Sequence, residues 1–233
     1  MEMKGKEFVE RILNGERSFS GIELERGFDL SAYERFGEMQ RYLMGQDLSK
    51  NPIHIQNSEF VNLCAKNLHF SYAIVKYTNF KRADLRGANF EGAYFLDTDF
   101  GKANLERTSF KKACVQNVNF KESILKGIIF EETIFWDIDF EGMDFFGANF
   151  RGTALRGTNL KGADFREAIL EGANFVGTDL KRTNFTRANL KYARNLKYTL
   201  NLESADFFET RVTRKESKII KRALKQRKLF IVE

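Results

Sequence analysis

The central part of the chain places an apolar side chain at every fifth position, from Ile55 to Leu190. All 28 of these positions are apolar, and 24 of them are Phe or Leu. Two residues before each one stands a small or apolar side chain, and the residue between the two is Asn or Asp in fifteen units. A period of five matches neither a helix, which repeats every 3.6 residues, nor a strand, which repeats every two. The pattern therefore predicts a chain that turns a corner after each five-residue unit.

The units also carry residues that are typical of turns. We expect the central side chain and the small one before it to point inward, and the other three positions to face water. Asn and Asp fit where a short polar side chain bonds the local backbone near a turn, and Gly fits at corners that need permissive dihedral angles. The frame holds to Ala193, fails near residues 195–200, and resumes two residues out of step at Leu202, Phe207 and Val212.

Units such as TNFKR, ADLRG and ANFEG, at residues 78–92, resemble the pentapeptide-repeat family, whose pattern is a small residue, Asn or Asp, Leu or Phe, and two variable residues. The resemblance covers about residues 53–193. It implies an all-β solenoid, a right-handed quadrilateral β-helix with four pentapeptides in each coil. The 28 units then make seven coils, which stack to about 34 Å at roughly 4.8 Å per coil.

The ends of such a solenoid need caps, because terminal coils otherwise expose core side chains and unpaired strand edges. We predict short helical caps at both ends and three segments along the chain. These are a helical and irregular N-terminal cap at residues 1–52, the β-helix at residues 53–212, and a basic C-terminal helix and tail at residues 213–233.

The N-terminal cap is expected to hold two helices. Apolar residues at helical spacing over residues 8–13 predict the first helix, which an Asn-Gly pair ends. The stretch SAYE at residues 31–34 has the pattern of a capping box and predicts the start of the second helix, which ends near Gly45. Between the two, the strand-like residues 19–30 predict an irregular first coil.

Composition limits the class of protein. The chain has 233 residues with 42% hydrophobic and 30% charged side chains, so it is neither a disordered tail nor a membrane protein. No apolar run approaches the roughly 18 residues of a spanning helix, and the N-terminus has no signal-peptide core. With two Cys and no export signal, we expect a cytoplasmic protein without disulfides. The net charge of +6 is uneven, because residues 58–200 sum to +4 and residues 211–233 to +7.

The sequence contains few residues in an arrangement that suggests catalysis or metal binding. It has two histidines, His54 and His69, and no set of Cys or carboxylate residues near them has the spacing of metal ligands. Cys64 and Cys114 lie 50 residues apart rather than in a CxxC pair. A core filled with Phe and Leu leaves no pocket. We therefore expect a protein that is not an enzyme and has no catalytic residues, cofactor or metal.

One side of the predicted coils carries outward apolar side chains, whereas the other three sides have a nearly balanced charge. Residues 20 apart fall on the same side, and this side is centred on every twentieth residue from Val75 to Phe175. The candidates for a protein-interaction surface are Ile74, Tyr77, Tyr94, Leu96, Ile134, Trp136 and Val176. Such a stripe marks a partner site, or it is covered by the chain's own N-terminal segment or C-terminal tail.

The basic segment over residues 214–228 follows a second capping-box pattern, TRKE at residues 213–216, and has three interpretations. It caps the last coil, it forms a homodimer, or it contacts nucleic acid or a membrane surface. The third is the least favoured, because aromatic residues for base stacking are absent. The candidates for the cap or dimer contact are Ile219, Ile220, Ala223, Leu224 and Phe230.

The leading hypothesis for function is a non-catalytic scaffold that binds another, unidentified protein through the apolar side. The resemblance implies an alternative, because some members of the family imitate duplex DNA and protect DNA gyrase from quinolone inhibitors. A DNA mimic needs a strongly negative surface in place of phosphates, and this chain is positive over its coils and its C-terminus. A nucleic-acid- or membrane-surface-binding adaptor that uses the basic C-terminal helix is a further alternative.

Overall fold

A computed structural model of the protein describes residues 2–224 and the backbone of residues 231–232. The chain forms two compact units, an N-terminal unit at Met1–Ile124 and a C-terminal unit at Leu125–Glu233. Both units are built from stacked four-sided coils. Within each unit, successive coils pair through parallel backbone hydrogen bonds.

The N-terminal unit begins with a cap of short elements. Its helical elements are α1 (Gly5–Leu13), a 3-10 turn (Leu30–Ala32) and α2 (Phe36–Met44). Its first strands are β1 (Glu2–Met3), β2 (Ser18–Ser20) and β3 (Glu23–Leu24). Strand β1 pairs in parallel with β3, and this pair ties the start of the chain to the first coil.

One side of the coils in the N-terminal unit is a parallel sheet. Its further strands are β4 (His54–Gln56), β5 (Ile74–Lys76), β6 (Tyr94–Leu96) and β7 (Cys114–Gln116). In this unit the strand order is β2-β4-β5-β6-β7, and β4 to β7 follow one another at an offset of 20 residues. Single bridges on the other sides, such as Glu59 with Asn79, keep the same offset. The prediction that residues 20 apart share a side is confirmed within the unit.

Helix α1 closes the first coil. Its buried Phe8 packs against Phe19 of β2 and against Phe60, with ring centroids 4.7 and 5.8 Å apart. The helix follows the predicted apolar spacing and ends at Leu13. The strand-like stretch after it forms an irregular first coil, as predicted, since β2 pairs with β4.

The start of α2 differs from the prediction. The helix begins after Arg35, which offers no side-chain cap, so the predicted capping box at residues 31–34 does not form. Ser31 is engaged elsewhere. Its hydroxyl donates to the Asp29 carboxylate at 2.8 Å and accepts the backbone N–H of Lys66 at 3.2 Å. The prediction is wrong because contacts with Asp29 and the neighbouring coil use the hydroxyl that the local pattern would have assigned to the helix.

The C-terminal unit contains fewer regular strands. Its elements are β8 (Ile134–Trp136), 3-10 turns at Leu196–Tyr198 and Leu202–Ser204, β9 (Thr210–Arg211), α3 (Arg214–Ala223) and β10 (Ile231–Val232). Its coils bridge at an offset of 20 residues, as Asp139 does with Asn159 and Asn159 with Asp179. Strand β10 pairs in parallel with β9.

The frame shift in the last coil is absorbed at two corners. The bridge from Asp179 reaches Leu200, an offset of 21 residues, and later bridges have an offset of 22. Asn195 and Asn201 take up the extra length in the left-handed region, with φ of 64° and 57°. Because two residues are added in all, the inward side chains after the shift stand two residues out of step.

Helix α3 is opened by the predicted capping box. The backbone N–H of Thr213 donates to the Glu216 carboxylate at 2.8 Å, and the Thr213 hydroxyl accepts a backbone N–H in return. The described helix runs from Arg214 to Ala223, and the C-cap residue Leu224 keeps a right-handed conformation with its N–H donating to the Ile220 carbonyl. The remaining residues of the predicted basic segment, 225–228, lie outside the described residues.

The inward positions predicted from the five-residue period are buried. All 28 central side chains are buried, and so is the residue two positions before each of them except Ser123. Phenylalanine rings stack along the core, as Phe80 and Phe100 do with centroids 5.2 Å apart and planes inclined by 14°. Buried threonine hydroxyls donate to backbone carbonyls, so their burial leaves no unpaired donor; Thr108, for example, donates to Leu85 at 2.8 Å.

The corners have one shared conformation. Each of the 28 units has a left-handed residue two positions after its centre, from Asn57 to Tyr192, and ten of these residues are Gly. The Asn or Asp before the centre accepts a hydrogen bond from the backbone two residues later, as Asn79 does from Lys81 at 2.9 Å. The predicted roles of Gly and of Asn and Asp at the corners are confirmed.

Candidate protein-interaction surfaces

The sheet of the N-terminal unit carries four of the seven candidate residues. Strand β5 contributes Ile74, strand β6 contributes Tyr94 and Leu96, and Tyr77 follows β5 at the corner. Pairing in register places Ile74 beside Tyr94 and Lys76 beside Leu96. Side chains alternate along a strand, so the residue between each outward pair points into the core. The four candidates therefore lie on or next to two neighbouring strands.

Tyr94 joins apolar and polar groups on this sheet. The Lys76 ammonium lies 5.6 Å from the Tyr94 ring centroid, and the Tyr94 hydroxyl donates to Gln116 Oε1 at 3.4 Å. Ile74, Tyr94 and Leu96 are half-buried, whereas 52% of Tyr77 is exposed. The result is an apolar centre with polar neighbours, which is the usual anatomy of a protein contact surface.

Strand β8 carries the two exposed candidates of the C-terminal unit. Ile134 is 38% exposed and Trp136 is 44% exposed, while the residue between them is fully buried. Val176 is half-buried and lies two coils further on. The coil between has Ala154 and Arg156 at the corresponding positions, so no large apolar side chain connects Val176 with Ile134 and Trp136. The structure brings Ile134 and Trp136 onto one strand and separates Val176 from them.

Burial divides the candidates at the C-terminal helix. Ile220 and Leu224 are buried within the C-terminal unit, as expected of side chains that cap a coil. Ile219 and Ala223 are half-buried and line an open groove. Phe230 lies outside the described residues.

This groove was not predicted from the sequence. Its volume is about 1090 Å³, and its apolar lining consists of Leu196 and Leu202 with Ile219 and Ala223. Six basic side chains and one acidic side chain, Glu203, form most of the remainder. The two leucines come from the 3-10 turns that absorb the frame shift. The signal in the sequence is the pair of out-of-frame leucines followed by a basic helix.

The half-buried His69 lies among polar groups of the N-terminal unit. Its Nδ1 is 3.3 Å from the amide nitrogen of Asn89, and its Nε2 is 3.1 Å from the hydroxyl of Ser71. The Asn89 oxygen accepts the N–H of Glu91, so the Asn89 amide nitrogen donates to Nδ1. The proton of neutral His69 is then on Nε2 and faces Ser71. A general base for a serine nucleophile instead needs an unprotonated nitrogen that faces the hydroxyl. Burial lowers the pKa of His69, which favours this neutral form.

The two thiols are half-buried, and burial raises the pKa of both Cys64 and Cys114. Cys64 Sγ lies 3.4 Å from the Ser31 hydroxyl. A raised pKa keeps a thiol protonated and therefore poorly nucleophilic. Within the described chain, no cluster of His, Cys, Asp and Glu is arranged to hold a metal ion. None of the helices described is long and apolar enough to cross a membrane.

Comparison with known families finds one match. A sequence model of the family described as pentapeptide repeats matches residues 66–100, 93–127, 130–162 and 158–194, with eight copies. These matches together span more than half of the chain. A comparison with curated proteins finds no match.

Solved structures share the fold at low sequence identity. A trypsin-treated variant of QnrB1, a plasmid-mediated fluoroquinolone resistance protein, superposes with a TM-score of 0.60 at 17% identity, covering 91% of this chain and 97% of that one. A second trypsin-treated QnrB1 variant gives 0.58 at 16% identity, covering 91% and 98%. HetL, which is involved in heterocyst differentiation regulation in the cyanobacterium Nostoc sp. strain PCC 7120, gives 0.36 at 21% identity, covering 89% and 96%. The predicted fold, a right-handed quadrilateral β-helix, is confirmed.

Proposed function

The chain belongs to the pentapeptide-repeat family, and on that basis we propose that it is a non-catalytic scaffold that binds another protein through outward apolar side chains. The observation that carries the proposal is the exposure of Ile134 and Trp136 on β8. Each of these large side chains exposes more than a third of its surface, so a partner that covers them removes apolar area from water. Tyr94 and Leu96 supply a second surface of this kind in the N-terminal unit.

A binding role fits the described chain better than a catalytic one. The coil interiors are filled by the buried central side chains, and the one Ser–His pair has its proton on the side that faces the serine. Side chains that project from paired strands are held in place before a partner arrives. Less conformational entropy is then lost on binding, which favours recognition by such a surface.

Two variants test the two surfaces separately. Tyr94→Glu/Leu96→Glu places charge on the sheet of the N-terminal unit, and Trp136→Glu places charge on β8. Each is immobilised beside the wild-type protein, and the proteins that each retains from a nuclease-treated host lysate are compared by quantitative mass spectrometry. Tyr192→Glu is the matched control, because this tyrosine is 65% exposed and lies outside both surfaces.

The melting temperature of each variant must first match that of the wild type, which shows that the fold is intact. We expect one protein to be retained by the wild type and by the Tyr192 control, and to be reduced at least about tenfold by one of the two surface variants. Identical retention by all four proteins would contradict the proposal. The variant that loses the partner also identifies which unit binds it.

A DNA mimic that protects DNA gyrase remains the alternative. The likeness to QnrB1 concerns the fold, and the charge opposes this role because residues 58–200 sum to +4 where a mimic of phosphates needs negative charge. Recovery of gyrase supercoiling in the presence of a fluoroquinolone, on addition of the purified protein, would favour the alternative. A homodimer through Ile219 and Ala223 also remains a prediction, which sedimentation velocity tests.

A further inference from the structure

The groove beside α3 combines an apolar floor with a basic rim. We propose that it binds an acidic amphipathic helix of another protein. This site is separate in its residues from the outward apolar side chains of the strands, and it recognises its partner by charge as well as by apolar contact.

The floor is formed where α3 meets the two 3-10 turns of the last coil. Leu196 and Leu202 are buried at its base, and Ile219 and Ala223 are half-buried along α3. The apolar side chains thus line a recess and do not project from the surface. A volume of about 1090 Å³ lies just above the roughly 300–1,000 Å³ of small-molecule sites, so the groove has room for a peptide segment.

The rim of the groove is strongly basic. Its cations are Lys197, Arg214, Lys215, Lys218, Lys221 and Arg222. Five of the six belong to α3, whose ten residues extend over about 15 Å. Positive charge therefore follows the whole length of the helix, whereas Glu203 is the single acidic side chain in the lining.

Most of this charge has no carboxylate partner among the described residues. On the coil sides, cations meet carboxylates, as Lys161 does with Asp179 at 3.5 Å and Arg187 with Glu209 at 2.7 Å. At the groove, the side chains that form no ion pair within the described residues are Lys197, Arg214, Lys215, Lys218 and Arg222. An acidic partner supplies carboxylates for these cations, and the electrostatic field of the cations steers it toward the groove.

An amphipathic helix with acidic flanks satisfies both the floor and the rim. Its apolar residues, spaced three and four apart, form one stripe that fits the recess, and carboxylates on either side of the stripe face the cations. A second copy of this chain would instead bring six further cations against the first six. Duplex nucleic acid would meet the cations but leave the apolar recess unfilled, and a bilayer requires apolar side chains that project.

The test uses the full-length protein and a fluorescent synthetic peptide of about 18 residues, with Leu at positions i, i+3, i+4 and i+7 and Glu on the flanks. Fluorescence anisotropy gives the dissociation constant. One control peptide has the same composition in scrambled order, and the other has Lys in place of Glu. We expect the designed peptide to bind at least about tenfold more tightly than either control, with an affinity that falls as salt is added.

Variants locate the binding site. Ile219→Asp tests the floor, and Lys218→Glu/Arg222→Glu reverses two exposed charges on the rim. Each is expected to weaken binding at least about tenfold, whereas the matched control Lys121→Glu, on an exposed side of the N-terminal unit, should stay within about twofold. Lys218 and Arg222 are exposed, so reversing their charges should leave the fold intact. The double variant therefore still tests the proposal if Ile219→Asp lowers the melting temperature.

Several outcomes would overturn the proposal. One is equal binding of the scrambled peptide, and another is unchanged affinity after the charge reversal. Tighter binding of a short DNA duplex or of phosphatidylserine vesicles would assign the groove to a different partner. Binding that appears only in a chain ending at Leu224 would mean that the rest of the chain occupies the groove. A dimer that Ile219→Asp dissociates would assign the floor to a second copy.

Discussion

Phe185 and Phe207 stack with ring centroids 5.4 Å apart and planes inclined by 16°, although 22 residues separate them. The preceding pair in the same stack, Phe165 and Phe185, is separated by 20 residues and has nearly the same geometry. The two extra residues have therefore been placed at corners, and the spacing of the core is unchanged. Packing of the aromatic column outweighs the cost of two irregular turns.

Truncation of Phe207 tests whether the shifted coil is packed as tightly as the regular ones. Phe207→Ala should lower the free energy of unfolding by about 3–5 kcal/mol, because the side chain is buried and its removal leaves a cavity. Phe208→Ala is the matched control. Its side chain is 44% exposed, and the loss should stay below about 1 kcal/mol. Urea unfolding measures both, and equal losses would show that Phe207 does not rejoin the core.

The left-handed corners predict opposite effects for two substitutions. Gly142 has a φ of +67° with open space around a built Cβ, so Gly142→Ala should lower stability by about 1–2 kcal/mol through backbone strain alone. Lys112 is exposed and has a φ of 57°, so Lys112→Gly should relieve strain and raise stability by up to about 1 kcal/mol. Thermal or urea unfolding compares the two. Changes of the same sign would contradict the role assigned to φ.

Arg17 is buried and has no carboxylate partner among the residues that the structure describes. Its guanidinium donates to the carbonyls of Ile12 and Glu16 at 3.2 and 3.0 Å and to the Tyr42 hydroxyl at 2.8 Å. Arg17→Met should therefore lower the free energy of unfolding by about 2 kcal/mol, because the Glu16 carbonyl and the Tyr42 hydroxyl lose this donor, whereas the Ile12 carbonyl keeps the N–H of Gly15 at 3.0 Å.

Arg26→Met, at an exposed position of the same unit, controls for the loss of one positive charge and should change stability by less than about 0.5 kcal/mol. Chemical denaturation measures both variants. An unchanged stability of Arg17→Met would mean that the desolvation cost of the buried cation equals what its hydrogen bonds return.

His69 predicts a pH dependence of stability. Burial lowers its pKa below the ordinary value of 6.5, so the unfolded chain binds a proton more readily than the folded chain. The stabilisation is present above pH 6.5 and is lost as the pH falls through the lowered folded-state pKa. Between about pH 7.5 and pH 5.5 the melting temperature of the wild type should fall more than that of His69→Gln. His54→Gln, at the exposed second histidine, is the control for the loss of one imidazole.

The five-residue period predicted a chain that turns a corner after each unit, because each unit repeats one local solution, whereas the right-handed four-sided coil was implied by the resemblance to the pentapeptide-repeat family. Burial of every central side chain follows from the pattern alone, and so do the Asx hydrogen bond of Asn79 and the left-handed corners. The two-residue shift before Phe207 can also be seen in the sequence, because the apolar frame resumes after it. These features depend on residues within one unit or 20 positions away.

The parts that the pattern missed depend on contacts between unlike elements. Ser31 has the local pattern of a capping box, yet its hydroxyl meets Asp29 and Lys66 instead of a helix N-terminus. The groove was missed because it forms between α3 and two irregular turns, and no repeat position predicts how a helix lies on the last coil. The outward candidates on β5, β6 and β8 could be named from the period, and the separation of Val176 from Trp136 by two coils follows from the same 20-residue offset.

The corners at Asn195 and Asn201 have a consequence for grafting. Bridges anchor the chain at residues 194, 200 and 206, so each corner leaves the ladder and returns to it at fixed points. A loop of foreign sequence inserted there would start and end on anchored backbone, and the aromatic column beneath it would need no redesign. A loop that keeps the buried Leu196 and Leu202 in place can therefore vary in length at either corner, which makes the last coil a suitable site for displaying an epitope or a designed binding loop.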